Sequence, residues 1–86
     1  MDKNELLQQL DKLHTTPLGV ERIRRNLGLS TCDVVDWCRE RIARPESQIA
    51  RRGKNWYIVT GGCEITVNAY SYTIITAHRL TKSGIL

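Results

Sequence analysis

The sequence predicts an α+β domain in which three N-terminal helices pack on one face of a four-stranded antiparallel β-meander. Three observations carry that prediction. Apolar residues recur at helical spacing as far as Ala43 and at a spacing of two after Pro45. Helix-start and helix-stop residues divide the first half into three pieces. The connections in the second half are two-residue turns, too short to join anything but antiparallel neighbours. A run of helices followed by a run of strands is the pattern of an α+β fold.

Leu6, Leu7, Leu10 and Leu13 fall at i, i+1, i+4 and i+7 and make one apolar stripe, so a first helix is expected over 2–13. Thr15-Thr16-Pro17 follows, a Thr N-cap with Pro at the first helical position, where its missing N–H costs nothing. The second helix is expected over 17–27, with Leu18, Val20, Ile23 and Leu27 inward, Arg22, Arg24 and Arg25 largely outward, and Gly28 as its C-terminal cap. Ser30-Thr31-Cys32-Asp33 resembles a capping box with Asp where Glu or Gln is usual, opening a third helix over 31–43. Asp33 and Asp36 lie early in it and Arg39, Arg41 and Arg44 late, the polarity a helix dipole favours; Val34, Cys38 and Ile42 form its buried stripe, and Pro45 ends it.

Four strands are expected over 47–52, 55–60, 63–68 and 71–80, joined by Gly53-Lys54, Gly61-Gly62 and Ala69-Tyr70. Tight turns propose a register in which Thr60 pairs with Cys63 and Asn68 with Ser71. Trp56, Ile58, Cys63, Ile65, Val67, Tyr72, Ile74, Thr76 and His78 then share the face toward the helices, with Ile49 if the first hairpin is equally tight. The open face collects Arg52, Asn55, Tyr57, Val59, Glu64, Thr66, Thr73, Ile75, Ala77 and Arg79. Thr81–Leu86 is expected to be a loose tail.

Eighty-six residues make one domain, 1–86, with one thin core. The chain is 41% hydrophobic and 26% charged and has no apolar run approaching the roughly 18 residues of a membrane span, so a soluble protein without a membrane partner is expected. Met1-Asp2-Lys3-Asn4-Glu5 is not the basic start of an export signal, which makes the cytoplasm the expected location. Cys32, Cys38 and Cys63 form no CxxC pair and His14 and His78 stand alone, so reduced thiols and no metal site are expected. No phosphate loop or nucleophile elbow occurs, which leaves no cofactor implied and ranks a small-molecule enzyme last. The net charge is +4; residues 1–43 hold seven basic and seven acidic side chains, whereas residues 44–86 hold six basic and two acidic. Excess positive charge confined to the strands suits an anionic partner such as RNA, and equally suits a solvated surface.

The combination of Val34 to Ile42 (VVDWCRERI), Arg51 to Ile58 (RRGKNWYI) and Ile65 to His78 (ITVNAYSYTIITAH), with LDKLHTTPLGVERIRRNL before it, resembles a family of small bacterial proteins catalogued as domain of unknown function family 3781. That resemblance brings no activity with it. Helices followed by a four-stranded meander ending in Ile74-Ile75-Thr76-Ala77-His78 are also similar to the superfamily of small ribonucleases that includes RelE-type, colicin D, colicin E5 and barnase-like toxins. This second resemblance implies an RNA-cradling sheet face with catalysis shared among dispersed basic, aromatic and acidic residues, without metal.

Cleavage of RNA by its own 2′-hydroxyl needs a base, a charge stabiliser for the phosphorane and an acid for the leaving 5′-oxygen. Tyr57, Glu64 and His78 are the candidate acid–base groups. Arg52, Lys54 and Arg79 are candidates to hold phosphate, Tyr57 to stack a base, and Thr66 and Thr73, adjacent across the last hairpin, to orient a phosphate oxygen. Each has a structural alternative. His78 falls on the helix side, where packing is the ordinary role; Glu64 opposite Arg79 or Lys54 is then a surface ion pair; His14 makes a local backbone hydrogen bond. Two functions remain open: an RNA-binding, RNA-cleaving, toxin-like domain, and a non-enzymatic module, such as a phage or mobile-element inhibitor, that binds a nucleic-acid-handling protein.

Overall fold

A computed structural model of the chain describes residues 3–31 and 33–80. Helix α1 (Lys3–Leu7) leads through a 3-10 turn (Leu10–Lys12) to α2 (Pro17–Leu27) and α3 (Val34–Ile42), and the strands β1 (Gln48–Arg52), β2 (Asn55–Thr60), β3 (Cys63–Asn68) and β4 (Ile74–Arg79) follow. The strands form one antiparallel sheet in the order β1-β2-β3-β4, so the domain is α+β, with short helices. Leu6, Ile23, Leu27, Val34 and Ile42 from the helices share one buried cluster with Trp56, Ile58, Ile65 and Val67 from the sheet.

The second helix keeps its expected bounds because its signals are local. Thr16 Oγ1 accepts from the Gly19 amide at 3.0 Å, Pro17 occupies the first turn, and Gly28 closes the helix at φ 66°, a left-handed conformation that favours glycine. Its inward stripe is Gly19, Ile23 and Leu27, and Leu18, expected inside, is 74% exposed. Gly19 faces the turn that enters the helix, and a Cβ there would collide with the Thr15 hydroxyl. One residue's rotation about the axis separates this buried glycine from the exposed leucine before it.

The first helix is not continuous over 2–13; its expected start at Asp2 lies outside the described residues. After Leu7 the bonds tighten to three-residue spacing, Gln9 N–H to Leu6 O at 3.0 Å, Lys12 N–H to Gln9 O at 2.9 Å and Leu13 N–H to Leu10 O at 3.2 Å. The chain must become extended at His14, whose N–H donates to Tyr72 O at 3.2 Å and whose carbonyl accepts from Ile74 N–H at 2.8 Å. A twelve-residue helix is marginal alone, and two backbone bonds to the sheet outweigh its last turn. The third helix also starts later than Thr31. Asp33 is its N-cap, accepting from the Asp36 amide at 3.1 Å, while Thr31 Oγ1 accepts from the Asp33 amide at 3.0 Å.

The middle hairpin has the expected register, Thr60 opposite Cys63, and the first, whose register the sequence leaves open, is equally tight, with Arg52 opposite Asn55 and Ile49 opposite Ile58. The last hairpin does not keep its expected register. Its strand begins at Ile74, not Ser71; Val67 pairs with Ile74 but Thr66 with Thr76, so Ile75 is an extra, bulged residue. Every residue beyond it changes face. Strict alternation from Ile74 would drive Thr76 and His78 into the core, whereas the bulge buries Ala77 to 0% exposure alongside Ile74 at 1%. Arg79 thereby turns toward α2, where Nη2 donates to Leu27 O at 2.6 Å, and Asn26 Nδ2 donates to Ala77 O at 3.2 Å along the outer edge of β4.

Candidate functional site

The pairing arranges the open face in three rows. Gln48, Val59, Glu64 and His78 form the first, Ala50, Tyr57, Thr66 and Thr76 the second, and Arg52, Asn55 and Asn68 the third. The third row lies at the end carrying the Gly53-Lys54 turn.

Tyr57 is the best-held group on this face. The Arg52 guanidinium carbon stands 4.4 Å from its ring centroid, within cation–π range. Asn68 Nδ2 donates to Asn55 Oδ1 at 3.5 Å, and Asn55 Nδ2 donates to the Tyr57 hydroxyl at 3.3 Å. Asn68 is itself held by the chain, since its Oδ1 accepts from the Tyr70 and Ser71 amides at 3.0 and 2.9 Å. Sequence reasoning passed over Asn68; an Asn directly before a turn is the signal for this backbone-capping role.

Glu64 and His78 come together as cross-strand partners, Oε1 to Nε2 at 3.6 Å, with side chains 24% and 44% exposed. The expected placement of His78 on the helix side is thus corrected, and the bulge at Ile75 is the cause. Thr66 lies opposite Thr76 rather than Thr73 and is nearly buried between its neighbours. Thr73 sits in the loop, hydrogen-bonded to His14, and is not on the open face. Arg79, expected there, caps α2 instead. Ala77 and Arg79 therefore leave the open face, Thr76 and His78 join it, and Arg52 is its one arginine among the described residues. Lys54 remains exposed in the turn, its carbonyl accepting from the Ala69 amide at 2.8 Å.

Chemically, the face offers a flat aromatic platform with a guanidinium over it, a run of amide and hydroxyl groups, and one carboxylate–imidazole pair. Among the described residues no three His, Cys, Asp or Glu side chains are placed to hold a metal ion, and no helix is long and apolar enough to cross a membrane.

These features define a small α+β domain with a polar, partly aromatic sheet surface. The chain belongs to the family described as Protein of unknown function (DUF3781), whose model matches residues 7–78. No curated protein and no solved structure matches it significantly, so the likeness to ribonuclease toxins finds no support in these comparisons.

Proposed function

We propose that the open sheet face binds single-stranded RNA in the cytoplasm, with Tyr57 stacking a base, Arg52 and Lys54 meeting phosphate, and Asn55 and Asn68 offering hydrogen bonds to a base edge. The observation that carries this reading is the Arg52–Tyr57 stack, 4.4 Å from guanidinium to ring centroid, held on an exposed face by a chain of amides. Aromatic faces take any base, and each stacked base is worth about 1–3 kcal/mol. Glu64 and His78 stand one row away, about 7 Å along the strands, near the length of one nucleotide. They suit cleavage: the carboxylate takes the 2′-hydroxyl proton as that oxygen attacks phosphorus, and the protonated imidazole gives its proton to the departing 5′-oxygen.

The test is fluorescence anisotropy with labelled oligouridylate at several salt concentrations. Arg52→Ala/Tyr57→Ala should weaken binding about 10–100-fold and flatten the salt dependence by about one phosphate contact. Cleavage by wild-type protein that disappears in His78→Gln supports the catalytic part; binding without cleavage confines the function to recognition. Absence of binding, or equal binding by the double variant, overturns the reading.

One observation favours a protein partner. With Arg79 turned away, Arg52 and Lys54 against Glu64 leave the face only weakly basic, and Tyr and Arg are strong interface anchors. A stoichiometric partner retained through nuclease treatment and lost in Tyr57→Ala would select that alternative.

A further inference from the structure

A second polar cluster lies off the open face, where the chain turns from β3 into β4. His14 Nδ1 is 3.0 Å from the Lys12 carbonyl, His14 Nε2 is 3.1 Å from Thr73 Oγ1, and Thr73 Oγ1 is 2.7 Å from Ser71 Oγ. A carbonyl oxygen only accepts, so in the neutral ring Nδ1 carries the proton and Nε2 accepts from the Thr73 hydroxyl, with the Ser71 hydroxyl donating to Thr73 Oγ1 in place of Asn68 Oδ1, 3.2 Å away. The order is hydroxyl, base, orienting carbonyl, the arrangement that activates a weak oxygen nucleophile.

The backbone builds this arrangement at some cost. Side chains two apart on a regular strand stand about 6.6 Å from one another. Ser71 and Thr73 instead touch because Tyr72 between them is left-handed, at φ 61°, a conformation that costs a bulky residue about 1–2 kcal/mol. Tyr72 N–H donates to Asn68 O at 2.9 Å, and the two backbone bonds of His14 clamp the other side. Those bonds already fasten residue 14 to the loop, so the exposed side-chain chain is not needed as a staple.

We propose that Thr73 is a nucleophilic hydroxyl, with His14 as its general base, that accepts an acyl group from an activated ester. Thr73 Oγ1 forms a bond to the acyl carbon as its proton passes to His14 Nε2. The tetrahedral adduct then breaks the bond to the leaving alkoxide, which takes that proton. The products are a Thr73 ester and the free alcohol, with His14 neutral again. The Tyr70 and Ser71 amides are committed to Asn68 Oδ1 and the Thr73 amide to Ser71 Oγ, so these donors form no oxyanion hole. Without one, both acylation and turnover are slow. The exposed ring of Tyr70, 73% accessible, offers a surface to an aryl leaving group.

The full chain is incubated with p-nitrophenyl acetate, nitrophenolate release is followed, and acetylated residues are mapped by tandem mass spectrometry. The expected result is one acetyl ester on Thr73, formed at least about 10-fold faster than in His14→Gln, given that general bases contribute about 10²–10⁴-fold. Thr73→Val should lose it while lysine acetylation continues unchanged. Circular dichroism checks that each variant is folded, and wild-type protein unfolded in urea, which should lose the selective reaction, serves if one is not. Thr73 acetylation at the same rate in His14→Gln, at the same rate in urea, or acetylation of Ser71 in its place overturns the proposal.

Discussion

Arg79 separates two accounts of the sheet, because a regular last strand places it on the open face and the bulged strand places it at the C-terminal end of α2. In the structure its Nη2 donates to the Leu27 carbonyl at 2.6 Å, the last residue of α2, beside the left-handed Gly28. A hydrogen bond with a charged partner contributes about 1.5–3 kcal/mol, and a cation at a helix C-terminus about 0.3–1 kcal/mol. The guanidinium is partly solvated, which holds the sum near the lower end, so Arg79→Ala should cost about 2 kcal/mol. For a domain of this size that is a fall in Tm of about 8–16 °C, or a fall of about 2 M in the urea midpoint with an unchanged slope. On the proposed reading of the open face, RNA affinity, measured at a temperature where the variant is folded, should change little. Arg52→Ala is the complementary control: stability within about 0.5 kcal/mol of wild type and weakened binding. An Arg79→Ala protein as stable as wild type but with Arg52→Ala-like binding would refute the bulged register and the α2 cap together.

The buried Cys38 thiol is pushed up to about 12, first by burial and then by the nearby Cys63. Unfolding releases it to the ordinary range near 9, so this contribution to stability is intact below pH 9 and falls by about 1.4 kcal/mol per pH unit between 9 and 12. Alkaline denaturation should flatten in Cys38→Ala, and iodoacetamide should label Cys38 only after unfolding. Thr16→Ala removes the oxygen that accepts from the Gly19 amide at 3.0 Å and should cost about 1 kcal/mol by urea titration. Trp56→Ala empties the largest fully buried site and its contact with the Tyr72 ring, centroids 5.5 Å apart; a loss of about 3–5 kcal/mol should abolish or severely weaken the cooperative thermal transition.

Elements specified by neighbouring residues were legible before the structure. Thr16-Pro17 and Gly28 bound α2 to the residue, and Gly61-Gly62 sets the middle hairpin, with φ of 55° and 78° at its two glycines. The first helix was not legible, because its leucine stripe continues through Leu13 while the demand that ends it, pairing of His14 with the loop before β4, comes from residues some sixty positions away. Leu18 was misplaced for a related reason. An apolar pattern ranks leucine inside, but the inward position is taken by Gly19, which packs against Thr15 and Thr16, and periodicity gives a residue without a side chain no weight.

The candidate site turned on one inserted residue. Ile74 and Ile75 are the same residue type, so nothing local says which one pairs with Val67 and which one is skipped. Beyond them the alternatives are to bury Thr76 and His78, or to bury Ala77 and give Arg79 to the α2 carbonyl. The second leaves no imidazole in an apolar layer and satisfies a helix-end acceptor at 2.6 Å. Both gains are tertiary, because they require α2 to be in place against β4, and no window of strand residues contains them. The same choice sends His78 across to Glu64 and removes the one cation that would have made the open face distinctly basic. The carboxylate–imidazole pair and the weakened charge of that face are therefore two results of a single packing decision. That is why mutagenesis of Glu64, His78, Arg52 and Tyr57 tests the proposed function, while substitution of Arg79 tests the fold.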